Sequence, residues 1–98
     1  MKNIDILAVG THPEIMKTVK RLLDSKPGWR CTGASSAAHA IAGNEQTYYD
    51  VVLVCAGVSA EETRQLHAYF KSPVVQHYGG GSGLLYAEVC SALKIVLP

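Results

Sequence analysis

Hydrophobic positions fall in short blocks separated by amphipathic stretches, and the two kinds of block alternate along the chain. Residues 4–9 are mostly apolar and run into Gly10, the pattern of a strand buried on both faces. Thr11, His12, Pro13 and Glu14 combine a capping box with an early-turn proline. Ile15, Met16, Val19, Leu22 and Leu23 follow at helical spacing, which predicts a helix to about Ser25. Lys26, Pro27 and Gly28 stop it, and Trp29 to Ala34 reads as a second strand, less apolar, as suits a sheet edge. Ser35 or Ser36 can cap a short alanine-rich helix through about Ala42, which Gly43 and Asn44 break. Tyr48, Tyr49 and Asp50 lead into Val51 to Cys55, the strongest strand signal of the chain. Ser59 with Glu62 forms a second capping box, Leu66, Tyr69 and Phe70 supply an apolar stripe, and Lys71, Ser72 and Pro73 end that helix. Val74 to His77 makes a fourth short strand. Beyond the glycine run of residues 79–83, Leu85, Val89, Ala92 and Leu93 share one face of a last helix, and Ile95, Val96 and Leu97 form an apolar tail.

Strands alternating with helices at this spacing imply right-handed βαβ crossovers. The expected class is therefore α/β: a three-layer αβα sandwich around a parallel sheet of four, or at most five, strands. With 98 residues, one domain spanning the whole chain is expected. The apolar fraction of 48% suits a core that needs no disulfides, and Cys31, Cys55 and Cys90 are odd in number and free of CxxC spacing, which argues for a reducing, cytoplasmic setting. A formal charge of +1 supplies no field for nucleic acid or an anionic membrane; Lys17, Lys20 and Arg21 read as the solvated face of the first helix. Asp5 interrupts any signal-peptide core, and no apolar run reaches the ~18 residues of a membrane span.

The run Tyr49, Asp50, Val51, Val52, Leu53, Val54, Cys55 resembles the third strand of the receiver domains of bacterial response regulators, and residues 6–13 resemble that family's first strand and following loop. The resemblance covers residues 4–77 and implies a flavodoxin-like, receiver-like sheet of order 2-1-3-4. It also implies a two-component, phosphorelay signalling context. In that family the third strand ends in the phosphoacceptor aspartate, and an acidic pair after the first strand holds magnesium. The matching positions here are Cys55 and Gly10 with Thr11, so the pocket is degenerate. The resemblance implies that the family's fourth helix and fifth strand are omitted, and residues 79–93 resemble its last helix instead. A phosphoaspartyl mechanism needs a carboxylate nucleophile, carboxylates for magnesium and a cation for the phosphoryl oxygens, none of which these positions offer. Cysteine binds magnesium poorly, and residues 55–59 lack the arginine of cysteine-based phosphatases.

Two other chemistries are open to the sequence. Ligands of open parallel sheets bind beyond the carboxyl ends of the strands, and His12, Cys55 and His77 all fall at such ends, where they could meet as zinc ligands or as a nucleophile with its base. As ordinary residues they are a small buried hydrophobe and two loop histidines. Gly79, Gly80, Gly81, Ser82 and Gly83 before a helix could hold an anion on their amides, yet they lack the lysine of a nucleotide-phosphate loop and read more simply as a turn, with Ser82 capping the helix. Val54, Cys55, Ala56 and Gly57 also resemble the cysteine loop of sugar-uptake phosphotransfer subunits, a family that places it after the first strand rather than the third.

The expected function is a degenerate receiver-like signalling module that binds a protein partner, performs no catalysis and uses no cofactor; the rival is a small-ligand or metal-binding protein with its site at the carboxyl edge of the sheet. A short apolar fourth strand left as a sheet edge needs cover. A homodimer is expected to bury the edge strand with Val74 and Val75, the tail Ile95, Val96 and Leu97, or the aromatic group Tyr69, Phe70, Tyr78 and Tyr86; the alternative is that these residues complete the monomer's own core. The tail follows the last helix too closely to return easily as a strand of its own chain.

Overall fold

A computed structural model of the chain describes residues 4–43, 49–77 and 82–93. Four parallel strands, β1 (Ile4–Val9), β2 (Trp29–Ala34), β3 (Val51–Val54) and β4 (Val74–Gln76), lie in the order β2-β1-β3-β4. Helices α1 (Pro13–Asp24), α2 (Ala37–Gly43), α3 (Ala60–Tyr69) and α4 (Ser82–Leu93) complete an α/β sandwich. Its two apolar clusters divide by face. Ile6, Ala8, Leu53 and Cys55 meet Val19 and Leu23 of α1 and Leu85 and Val89 of α4. Leu7, Val9, Val52 and Val54 meet Ala37 and Ala40 of α2 and Leu66 and Phe70 at the end of α3. The two-sided burial explains why β1 and β3 carry no polar alternation: residues 6–9 and 51–54 are all buried. β2, at an edge, alternates with Arg30 and Thr32 exposed.

The expected strands are met to within a residue, and the start of the first helix differs for a clear reason. Pro13 drives the residue before it out of the helical region, so His12 is extended at φ −95°, ψ 107° and serves as N-cap. The helix thus begins one residue later than a Thr11 cap requires, Glu14 misses the third helical position, and no side-chain cap forms. The Ser59–Glu62 box does form: Glu62 N–H donates to Ser59 Oγ at 3.1 Å, and the Glu62 carboxylate accepts from Ser59 N–H. Its other oxygen accepts from Ala37 N–H at 3.1 Å, so one carboxylate serves the first turns of two helices and is held below its ordinary pKa, first by the Ala37 amide and then by Ser59. Ser36 Oγ accepts from His39 N–H at 3.0 Å at the start of α2.

Two expected core contributors are placed differently. Ile15 and Tyr69 are each 43% exposed. Tyr86 and Phe70 pack inside the subunit: Tyr86 donates to Leu22 O at 3.0 Å, sits edge-on to Trp29 at 6.1 Å and under Lys26 at 4.3 Å, while Phe70 closes the α3 side of the core. Tyr78 and Ile95, Val96 and Leu97 lie outside the described residues.

Candidate functional site

In a sheet of this order the loops after β1 and β3 leave toward opposite faces, and the gap between them is where a ligand would enter. Here that gap is closed by the chain. Cys55 N–H donates to Val9 O at 2.7 Å and Thr11 N–H donates to Ala56 O at 3.2 Å, so the two loops are bonded to each other directly. The exposed Thr11 side chain lies against Gly57, where a Cβ would stand 1.8 Å from Thr11 Oγ1. Gly57 itself is at φ +89°, where L side chains are strained.

Gly10 and Cys55, two of the three positions matching the receiver's acidic pocket, face one another in close contact. A Cβ at Gly10 would stand 2.7 Å from Met16 Sδ and 3.0 Å from Cys55 Cβ. A thioether therefore lies where a magnesium-binding carboxylate would begin. Cys55 is 1% exposed, and burial, aided by the charge of Glu88, pushes its thiol up to about 11. It is a neutral, apolar group at neutral pH. Hard magnesium needs an oxygen-ligand cage, and this donor set does not supply one.

The other candidates separate. His12 is exposed at the start of α1. His77 is buried at the end of β4, where its N–H donates to Val54 O at 2.8 Å and its ring Nδ1 is in a short contact with Glu88 Oε1 of α4. Among the described residues no group of three or more His, Cys, Asp or Glu side chains could hold a metal ion. His12, Cys55 and His77 thus share a rim without forming a zinc site. Gly79, Gly80 and Gly81 of the glycine run lie outside the described residues; Ser82 is already helical and Gly83 is exposed in open space. Met16 and Glu88, which dominate the surroundings of Cys55 and His77, carry no motif. Met16 could be suspected only from its place one turn into α1, and Glu88 only as the single carboxylate of an otherwise uncharged helix.

No protein-family model matches the sequence, and no curated protein matches it. Solved structures do. The chemotaxis response regulator CheY4 of Vibrio cholerae superposes with a TM-score of 0.69 at 14% identity, covering 94% of this chain and 100% of that one. The receiver domain of HemR from Leptospira biflexa gives 0.65 at 12% identity over 98% of both chains. The response regulator ChrA of a heme-sensing two-component system gives 0.70 at 16% identity, covering 100% of this chain and 62% of that one. The chain has the receiver fold, with the flavodoxin-like sheet order of that class. Between β4 and α4 only residues 77–81 intervene, too few for a helix and a strand. α4 packs beside α1, on the same sheet face.

Proposed function

We propose that the chain is a receiver-like signalling module that works by protein–protein contact, without aspartyl phosphorylation and without catalysis. The observation that supports this most directly is the closed rim: Thr11 bonded to Ala56 and seated on Gly57, with Met16 against Gly10 and Cys55. A receiver switch depends on a solvent-open acidic pocket that a phosphoryl group can enter. Here the matching positions carry Gly10, Thr11 and Cys55, with the Met16 thioether beside them and no carboxylate among them. The receiver likeness of the solved structures supplies the signalling context by analogy.

The three free, buried cysteines fit a reducing cytoplasm, and among the described residues no helix is long and apolar enough to cross a membrane. A homodimer and a protein partner belong to this reading. The test is chemical: purified protein incubated with magnesium and a small acyl phosphate should gain no phosphoryl mass, and beryllofluoride should leave its backbone NMR spectrum unchanged. A stable magnesium-dependent adduct would overturn it.

A further inference from the structure

Each main-chain group of β4 faces either β3 or the open edge. Pro73 O accepts from Val52 N–H at 2.9 Å and His77 N–H donates to Val54 O at 2.8 Å, so residues 73 and 77 face β3. By strand alternation Val75 does too, and Val74 and Gln76 turn their N–H and C=O outward. The proline lies at an inward-facing position, so its missing N–H takes nothing from the outer edge. The Gln76 side chain folds back to Val54 O at 3.2 Å, and among the described residues no strand pairs with the outer side of β4.

The chain's two sheet edges are treated differently. β2 spans six residues and carries exposed Arg30, a charge of the kind that discourages edge pairing. β4 reads Val74, Val75, Gln76, with no charge, no bulge and half-buried valines packed toward both core clusters. A strand placed beyond β4 by way of α4 would not cover it. The step from β3 to β4 moves outward with α3 on one face, whereas α4 lies on the opposite face with α1. A further outward step through α4 would make a left-handed crossover, which parallel sheets all but exclude.

We propose that the β4 edge is filled by β4 of a second copy, antiparallel, about a twofold axis through Val75. This deepens the homodimer reading by naming its contact. The register follows from the outward groups: Val74 exchanges N–H···O=C bonds with Gln76 of the second copy, Gln76 does the same with Val74 of the second copy, and the two Val75 residues form the close non-bonded pair between them. The edge is self-complementary in hydrogen bonding and, being uncharged, meets itself without repulsion. The neighbouring helix presents no charge barrier either. Glu88 is the only charged residue of α4 and is turned in onto His77, while Ala87 and Ser91 are exposed and small.

Two variants test the contact. Val75→Cys places two thiols across the twofold on Cα atoms about 4.5 Å apart, within the range a disulfide spans. Mild oxidation should link the dimer quantitatively, whereas Val74→Cys, whose opposite number is Gln76 of the second copy, should link poorly. Gln76→Pro removes an outward N–H while sparing the β3 ladder. It should raise the dimer dissociation constant at least about tenfold with an unchanged circular dichroism spectrum. If Gln76→Pro does not fold, the cysteine pair decides alone. A wild type that sediments as a monomer at micromolar concentration overturns both the contact and the dimer. A dimer that Val75→Cys does not link and Gln76→Pro does not weaken overturns the β4 contact and leaves the dimer standing.

Discussion

At the scale of single residues, the rim chemistry is governed by sterics and burial rather than by charge. Gly57 combines a left-handed backbone with the side chain of Thr11 in the place its own Cβ would take. Gly57→Ala should therefore cost about 2–3 kcal/mol, read as a shift in urea midpoint at constant m; a cost below about 0.5 kcal/mol would mean the two loops are not held together as described. The thiols carry a pH signature. Burial raises Cys55 to about 11 and Cys31 to about 12 from an ordinary value near 9. A thiol with a raised folded-state pKa stays protonated in the native state while the unfolded chain ionises. Its contribution is thus fully present below about pH 9 and is lost as pH rises toward the folded values, at up to about 1.4 kcal/mol per pH unit for each thiol. Stability measured between pH 8 and about 10.5 should fall with that sign, and Cys31→Val with Cys55→Ala should flatten the slope relative to the parent. Ellman's reagent should leave Cys31 and Cys55 of the native protein unmodified and react with both in urea.

At the scale of elements, most of the fold was legible in the sequence because each strand's environment is written in its residue types. β1 and β3 are covered on both faces and are apolar without alternation; β2 sits at an edge and alternates. The Ser59–Glu62 spacing announced the start of α3 for the same local reason. What stayed hidden is non-local. The reach of Glu62 to Ala37, the contact of His77 with Glu88 and the seat of Met16 against Gly10 join residues from different elements, and their partners have no fixed sequence offset. Thr11 does not cap α1 because the steric rule before proline outweighs a favourable capping pattern. Ser59→Ala should cost about 1 kcal/mol through the lost cap of α3. Glu62→Ala, which removes the carboxylate that accepts from both Ser59 N–H and Ala37 N–H, should in addition speed amide exchange in the first turn of α2, an effect Ser59→Ala should largely lack. Equal exchange in both variants would show that Glu62 serves only its own helix.

At the scale of the whole molecule, the decisive feature is how the sheet ends. The order β2-β1-β3-β4 places one charged edge and one uncharged edge on the same small sandwich, and the position of α4 beside α1 removes the crossover hand that would let a following strand cover the second. On the proposed reading of a module that signals without phosphorylation, information passes through surfaces, and the β4 edge is a surface with a readable main-chain pattern. That pattern gives a measurement finer than an oligomeric state. Amides facing β3, those of Val75 and His77, are protected from hydrogen exchange within a single subunit, whereas those of Val74 and Gln76 face outward and gain protection only from a second strand. Raising protein concentration through the dimerisation range should therefore slow exchange at Val74 and Gln76 selectively and leave Val75 and His77 nearly unchanged, an alternation of period two along β4. Uniform slowing along the strand would point instead to general stabilisation by assembly elsewhere. No concentration dependence in β4, in a protein that dimerises, would place the contact on another face.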